Sequence, residues 1–231
     1  MRWPSSAAEL RSVQTELAAA SPPPWRPPRG AYAIGGCFAC FGRGKARAGA
    51  RAERGWAGAA VWASDRLVGA GAVEGRAGAG YEPGLLAFRE GRLLEAAVRA
   101  LPALPDVLLV NATGRDHPRR CGLALHLGAV LGLPTVGVTH RPLLAEGGWP
   151  PESAGARAPL SIGGEGVGCW LRTRPRTRPL AVHPGWRTDA ETACAVVLAA
   201  IERARTPEPL REARRRARLA RAGCRAGARS A

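Results

Sequence analysis

Lysine is nearly absent from this chain of 231 residues, although Lys and Arg together number 34 against 18 acidic residues. Lys45 is the only lysine, so the formal charge of +16 rests almost entirely on arginine. Such an excess of positive charge is typical of proteins that bind nucleic acid. Ala, Gly and Pro are also heavily used, however, and a biased codon pool would raise the arginine count by itself. The charge indicates an anionic partner but does not prove one.

Long apolar runs are missing as well. No stretch of about 18 apolar residues occurs, so no transmembrane helix is predicted. The first residues show no basic region followed by an apolar core, so no secretory signal is predicted either. We therefore expect a cytoplasmic protein whose six cysteines stay reduced. Internal repeats and coiled-coil heptads are not visible, and we expect a monomer.

A second pair of closely spaced cysteines is also missing. Cys37 and Cys40 form a C-x-x-C, whereas the other four cysteines are isolated. If residues 33–41 are a strand, positions three apart point to opposite faces. The pattern therefore predicts small buried side chains rather than a zinc site.

The order of predicted elements indicates an α/β protein. Ser6 with Glu9 three positions later is a capping-box pattern, which predicts a helix over residues 6–20. Three strands then form an antiparallel meander, and alternating helices and strands follow, so we expect a mixed sheet with helices on its faces. The predicted strands are 31–36, 56–63, 67–73, 106–110, 133–138, 167–172 and 179–183; the later helices are 85–99, 123–133 and 188–201; residues 42–54, 75–80 and 147–164 are expected to be irregular.

Residues 106–120 are where chemistry is expected. A short apolar strand breaks at Asn111 into a polar loop, Asn-Ala-Thr-Gly, which ends in His-Pro-Arg-Arg at 117–120. Side chains at the carboxyl end of a strand in a β-loop-α unit face the cleft where ligands bind. The loop is therefore a candidate site. The alternative is an ordinary surface loop that caps the following helix.

Glu90 lies near the middle of the apolar face of the predicted helix 85–99, close to Leu86 and Leu93. A carboxylate among apolar neighbours indicates a group that faces a pocket. The alternative is a glutamate at the edge of the apolar stripe that reaches water.

The segment after Pro207 carries six arginines between positions 211 and 221. It predicts either a basic helix that holds phosphate groups or a solvated, arginine-rich end of the chain.

These residues resemble the endonuclease V family from the N-terminal helix to about Ala213. The most specific motifs are YEPGLLAFRE at 81–90 and the loop with Gly114, HPRR at 117–120 and Gly122; PTVGV at 134–138, RPL at 178–180 and PEP at 207–209 agree as well. The resemblance implies a single domain over residues 1–213 with a ribonuclease H-like fold, a mixed β-sheet flanked by α-helices. Residues 214–231 would then be a basic C-terminal tail, for which disorder is one expectation.

The resemblance also implies an activity. The family consists of Mg²⁺-dependent endonucleases that act on DNA or RNA beside deaminated purines such as inosine, in repair. A strand-separating wedge contains Tyr81 and Pro83, and the arginines of the loop would contact phosphate. The implied nucleic-acid-binding residues are Tyr81, Pro83, Gly114, His117, Arg119 and Arg120.

Several catalytic positions of the family are substituted. Phe38 and Asn111 stand where the family has metal-binding aspartates, His140 where it has a lysine, and Trp186 where it has a histidine, while Glu90 is kept. Glu82 replaces an apolar residue of the wedge, and Ala112 replaces a glycine of the lesion pocket. The substitutions therefore concentrate on the residues that carry the chemistry.

Loss of the two aspartates has a direct physical consequence. Mg²⁺ prefers anionic oxygen ligands, and it serves such nucleases by activating water and neutralising the transition state. Glu90 remains as an anionic ligand and Asn111 as a weak neutral one, while Phe38 fills space where an ion would lie. Asp116 and His183 match no ligand position of the family. We therefore expect impaired Mg²⁺ binding.

Three functional hypotheses follow. The first is a DNA- or RNA-binding protein that has lost nuclease activity, wholly or in part. The second is an active endonuclease with an improvised metal site that acts near inosine. The third is a decayed scaffold without retained binding, which Ala112 and Glu82 would favour because a side chain at 112 hinders close approach of a flipped base.

Overall fold

The computed structural model describes residues 1–42 and 52–227, with only the backbone described for residues 225–227. The elements within these ranges are α1 (Ala7–Ala19), β1 (Ile34–Phe41), β2 (Arg54–Ala63), β3 (Arg66–Arg76), α2 (Leu86–Arg99), β4 (Val107–Val110), α3 (Leu123–Leu131), β5 (Thr135–Thr139), β6 (Arg157–Ile162), β7 (Glu165–Leu171), β8 (Leu180–Pro184), α4 (Ala190–Ala199) and α5 (Glu208–Gly227). The predicted α/β class is confirmed.

All eight strands form one mixed sheet in the order β3-β2-β1-β4-β5-β8-β7-β6. β1, β2 and β3 pair antiparallel, which confirms the predicted meander, and β1, β4 and β5 pair in parallel. The remaining strands, β8, β7 and β6, continue antiparallel from β5. The parallel centre brings the ends of β4 and β5 to the same edge of the sheet, where polar loops follow both strands.

The core has a cluster on each face of the sheet, and β4 contributes to both. Leu108 and Val110 pack on the face covered by α2 and α3, whereas Val107 and Leu109 pack on the face covered by α4 and the start of α5. This alternation is the two-residue period of a strand that is buried on both sides. Burial of each such side chain contributes about 2 kcal/mol.

The prediction that Ser6 caps α1 is confirmed, while the reciprocal bond of Glu9 goes to Ser5 instead of Ser6. The Ser6 hydroxyl accepts a hydrogen bond from the backbone N–H of Glu9 at 3.1 Å. The Glu9 carboxylate in turn accepts from the backbone N–H of Ser5 at 2.7 Å. These bonds satisfy backbone donors that the first helical turn leaves free.

Helix α5 lies directly on the antiparallel part of the sheet. A Cβ atom on Gly58 of β2 would overlap the carbonyl oxygen of Ala213, and one on Gly36 of β1 would overlap the backbone at Pro209. Glycine at these two strand positions therefore permits close contact of helix and sheet backbones. Ala213 and Ala217 are completely buried in this contact. The helix is continuous across residue 213, so the predicted tail begins within it.

Some boundaries differ from the sequence predictions. Residues 157–162 form the edge strand β6, although their Pro- and Gly-rich surroundings predict an irregular segment; pairing with β7 outweighs local propensity there. β3 extends to Arg76, into the predicted link at 75–80, through its pairing with β2. Most of the expected loop at 42–54 lies outside the described residues. None of the described helices has the length and apolar character needed to cross a membrane.

The cysteines are mostly buried. Cys37 and Cys40 belong to clusters on opposite faces of the sheet, in agreement with the predicted strand geometry. Cys169 of β7 and Cys194 of α4 are paired as a disulfide, whereas the sequence predicts reduced cysteines. Their Cα atoms are 7.8 Å apart, which exceeds the usual span of a disulfide.

Candidate functional site

Two cavities meet at Asn111, directly after the last residue of β4. The loop cavity, of about 190 Å³, lies between residues 81–87, the loop 111–117 and the end of β5. The arginine cavity, of about 590 Å³, lies between the strand ends and α5. Its lining residues are Phe38, Asn111, His140, Ala204, Arg205, Thr206, Leu210, Arg211, Arg214, Arg215, Arg218 and Leu219.

The loop cavity is built around the carbonyl oxygen of Gly84. Arg119 donates to this oxygen at 2.8 Å and also donates from Nε to the Gln14 side chain at 2.7 Å. The Gln14 amide donates to the same Gly84 oxygen at 3.2 Å. Helix α1, the turn before α2 and the HPRR segment are thereby tied together. The contacts of Arg119 are directed into the protein, where they position the wall of the cavity.

His117 is part of the same network and is neutral. The backbone N–H of Arg119 donates to Nδ1 at 3.2 Å, so the proton resides on Nε2, which donates to the Gly84 oxygen at 3.0 Å. Burial lowers the pKa of His117 to about 4. The imidazole is therefore uncharged at neutral pH, and it acts as a wall of the cavity rather than as a cationic phosphate ligand.

Gly114 allows the loop to approach β8. A Cβ atom at this position would overlap the carbonyl oxygen of Pro184. This close approach explains the glycine in structural terms. The sequence-predicted residue thus positions the loop that carries Asn111.

Asp116 and His183 do not supply a replacement metal site. The buried Asp116 carboxylate accepts three backbone N–H groups, from Leu143, Leu144 and Ala145, at 2.5 to 2.9 Å. It thereby fixes the segment after β5. His183 is buried and contacts the Thr139 hydroxyl at 3.1 Å, and burial lowers the pKa of His183 to about 4.

Three residues that the sequence resemblance marks as substituted catalytic positions line the arginine cavity together. Cys37 of β1 pairs with Val110 of β4, so Phe38 and Asn111 are the next residues on two adjacent parallel strands. His140 follows β5, which pairs with β4. The fold therefore brings together the positions that the sequence resemblance marked.

Trp186 and Glu90 lie elsewhere. Trp186 packs with Leu17 and Leu125 on the α1 and α3 side, away from both cavities. The Glu90 side chain of α2 is partly buried near Cys37 of β1; burial, and to a smaller extent the Glu90 carboxylate, raises the pKa of the Cys37 thiol. Burial raises the pKa of Glu90 to about 7, against the opposing charge of Arg89. Glu90 is among the lining residues of neither cavity, so the structure does not place this carboxylate at the pocket that one sequence hypothesis expected.

The wedge residues and Arg120 are at the surface. Tyr81 is 63% exposed beside the loop cavity, and Pro83 is exposed next to it. The Glu82 carboxylate accepts from Arg11 of α1 at 3.0 Å. Arg120 has a left-handed backbone with φ of 53° and donates to Glu165 of β7 at 2.7 Å. Tyr81 is thus the accessible aromatic of this region.

The arginines of the arginine cavity differ in their partners. Arg211 and Arg215 donate to Glu208 and Glu212 along α5 at 2.5 to 2.7 Å. Arg205 donates to the carbonyl oxygen of Arg178 at 3.0 Å, and its other nitrogen lies 2.7 Å from Nδ1 of His140. Two guanidinium groups remain without a hydrogen bond or ion pair inside the described part of the chain, those of Arg214 and Arg218.

Arg214 lies over the ring of Phe38, with its guanidinium carbon 5.3 Å from the ring centroid. Burial and the neighbouring charge of Arg218 lower the pKa of Arg214. Two like charges therefore line the same cavity near each other, and one of them lies over an apolar ring. Such an arrangement is stabilised by an anion.

The residues of this cavity do not fit Mg²⁺. Its side-chain oxygens come from an amide, Asn111, and a hydroxyl, Thr206, and no carboxylate is among the lining residues. Five arginines oppose a divalent cation electrostatically. Within residues 1–42 and 52–227, no group of three or more His, Cys, Asp and Glu side chains is arranged to hold a metal ion.

The mixed sheet with helices on both faces is a ribonuclease H-like fold. The Endonuclease V family model matches residues 45–215, about three quarters of the chain. Endonuclease V from Azotobacter vinelandii is 43% identical over 135 residues, which cover 58% of this chain and 61% of that protein. The chain belongs to the endonuclease V family.

Solved structures agree in fold. The crystal structure of endonuclease V from Streptomyces avermitilis superposes with a TM-score of 0.84 at 36% identity and covers 94% of both chains. Endonuclease V from Ciona intestinalis, crystallised with a 24mer DNA that contains an inosine followed by a ribo-adenosine, gives a TM-score of 0.76 at 22% identity, with 92% and 96% coverage. The predicted fold and family are confirmed.

Sequence reasoning missed Arg205 and the closure of α5 over Phe38. The available signal was the spacing of Arg211, Arg214, Arg215 and Arg218, which places these side chains on one side of a helix, next to a stripe of Leu210, Ala213 and Ala217. The stripe predicts a packed helix. It does not identify the part of the sheet against which the helix packs.

Proposed function

We propose that this member of the endonuclease V family binds inosine-containing DNA or RNA strands and that its ability to cleave them is lost or strongly reduced. The observation that carries the proposal is the lining of the arginine cavity, where Phe38 and Asn111 occupy the positions of two metal-binding aspartates. The expectation of inosine comes from the family resemblance.

The loop cavity supports binding of a base. Tyr81 is an accessible aromatic side chain at its edge, and base stacking on an aromatic contributes about 1 to 3 kcal/mol. Gly114, Arg119 and His117 hold the cavity wall in place. We assign Pro83 to the same wedge and Arg120 to the outer surface of the loop, and we infer that Arg119 positions the wall.

Loss of cleavage follows from charge. Hydrolysis in this family depends on a metal ion that activates water and neutralises developing negative charge. Phe38 has no oxygen ligand, and Asn111 offers a neutral amide. The remaining carboxylate, Glu90, is partly buried against β1. Without two further carboxylates, Mg²⁺ lacks the anionic ligands that offset the cost of its dehydration.

We also propose that the domain extends to the end of α5 rather than to residue 213. The buried contact of Ala213 and Ala217 with β2 supports this boundary. The arginines beyond 213 then belong to the binding surface and not to a separate tail.

The proposal is tested with purified protein and a labelled strand that contains one inosine. A gel shift is measured in EDTA, and cleavage is measured in Mg²⁺ and in Mn²⁺, with DNA and RNA strands and with adenosine in place of inosine. We expect a shift without nicking. Tyr81→Ala should weaken the shift about tenfold, whereas Trp149→Ala, which removes another exposed aromatic, should leave it unchanged.

Other outcomes would identify the alternatives. Nicking beside inosine that disappears in Glu90→Ala would overturn the loss of cleavage and favour an active endonuclease with an improvised metal site. Absence of a shift with every strand would overturn binding and favour the decayed scaffold.

A further inference from the structure

We propose that the arginine cavity is a metal-independent site for the phosphate group of a nucleotide, with Arg214 and Arg218 as its main ligands. The inference rests on the proposed function for the expectation that this nucleotide is part of a strand. The anion site itself depends only on the residues that line the cavity.

The arginines of α5 that line the cavity differ in whether an acidic side chain neutralises them. Arg211 and Arg215 are neutralised along α5 by Glu208 and Glu212. The other two arginines of this helix that line the cavity have no acidic partner in the described part of the chain. An oxyanion between the two guanidinium groups would relieve their repulsion and accept hydrogen bonds from both.

The contact of α5 with the sheet gives the cavity an apolar floor. Phe38 lies directly opposite Gly58 in the β1–β2 pairing, and α5 touches the sheet at Gly58. The ring therefore lies beside the helix and under Arg214. Leu210 and Leu219 add further apolar surface. A cavity of about 590 Å³ with an apolar floor and cationic walls suits a nucleotide, whose sugar or base contacts the floor while its phosphate contacts arginine.

Asn111 adds a hydrogen-bond donor to the cavity. An aspartate at this position would repel a phosphate oxygen in the absence of a metal ion, whereas the Asn111 amide can donate a hydrogen bond to it. The exchange that removes a metal ligand thus adds an anion donor at the point where the two cavities meet. A strand with a base in the loop cavity would pass directly from Asn111 to the arginines.

The experiment uses the full chain in EDTA. Fluorescence anisotropy measures affinity for a labelled single-stranded oligonucleotide at several salt concentrations, and calorimetry measures binding of a purine nucleoside monophosphate and of inorganic phosphate. The double variant Arg214→Ala/Arg218→Ala should lower affinity for the strand at least tenfold and reduce the salt dependence by about 0.7 in log–log slope, as expected for loss of one phosphate contact on a single strand.

A matched control removes the same charge elsewhere. Arg66→Ala/Arg157→Ala alters exposed arginines on the two edge strands, β3 and β6, and should change affinity less than twofold. Asn111→Asp, which adds a negative charge at the cavity without removing an arginine, should weaken binding in EDTA about fivefold or more.

The outcomes separate the two proposals. Equal losses in both double variants would show that overall charge is responsible and would overturn the site. Undiminished strand binding in the Arg214/Arg218 variant would overturn the site and leave the proposed function intact. Binding of the monophosphate but not of the strand would support the anion site and overturn the proposed function. Competition between monophosphate and strand would support both and place them in the same cavity.

Discussion

The loop cavity and the arginine cavity share Asn111 but use their polar groups in opposite ways. In the loop cavity, Gln14, His117 and Arg119 are all bound to the Gly84 carbonyl oxygen, and the histidine is neutral. In the arginine cavity, Arg214 and Arg218 have no such partners among the described residues. Motif residues of the loop cavity are thus occupied in holding the loop, whereas the unpaired arginines of the other cavity are free to contact a ligand.

The largest effect is expected from a substitution that disrupts the close contact between the loop 111–117 and β8. Gly114→Ala would drive a methyl group into the Pro184 carbonyl oxygen, and overpacking of this kind costs about 1 to 3 kcal/mol or more. Urea unfolding should show this loss. Gly148→Ala, at a position with open space around it, is the control and should be neutral within about 0.5 kcal/mol. Equal stability of the two variants would contradict the close packing of the loop.

A second prediction concerns Glu90, which belongs to neither cavity. Its pKa is raised to about 7 by burial, so the folded state favours the protonated carboxyl. This contribution to stability is fully present below the unfolded pKa near 4.5 and is lost as pH rises toward 7. Glu90→Gln stays neutral, so it should exceed the wild type in stability by on the order of 1 to 3 kcal/mol at pH 8 and by much less at pH 4.5.

Urea unfolding of both proteins between pH 4.5 and 8 measures this difference, and other titrating groups cancel in the comparison. A difference that does not change with pH would show that Glu90 is not held in a buried environment. If Glu90→Gln exceeded the wild type in stability by more at pH 4.5 than at pH 8, the direction of the pKa shift would be contradicted.

The two loop arginines should differ from each other in their contribution to stability, and the smallest effect is expected from Arg120. Arg119→Ala removes the donor to the Gln14 side-chain oxygen and one donor to the Gly84 carbonyl oxygen. The free energy of unfolding in urea should fall by about 1 to 3 kcal/mol. Arg120→Ala removes a partly exposed ion pair with Glu165 and should cost less than about 1 kcal/mol. A tenfold loss of strand affinity in Arg120→Ala would instead make this arginine a phosphate ligand.

Much of the fold could be predicted from local patterns. The Ser6 cap of α1, the meander and the α/β class depend on residues close together in sequence, and the structure agrees with them. The strand β6 was missed because its pairing with β7, rather than its own Pro- and Gly-rich composition, holds it in the sheet. Non-local pairing of this kind leaves a weak mark in the sequence.

The candidate site was predicted in part. The sequence resemblance marked Phe38, Asn111 and His140 together, and the structure places these three around one cavity. It also marked Trp186, which packs elsewhere against Leu17 and Leu125. A side chain at the end of an element can lie on either side of the sheet, and the packing of neighbouring elements decides which. Motif alignment does not supply that information.

The sequence by itself determined the family and the order of most helices and strands, because each is written in contiguous motifs. Only the tertiary structure decided which side chains meet at the strand ends. The arginines of α5 reach the cavity because Gly36 and Gly58, on two different strands, let the helix lie against the sheet beside Phe38. That contact joins residues more than 150 positions apart, and the charge it brings to the strand ends exists only in the folded chain.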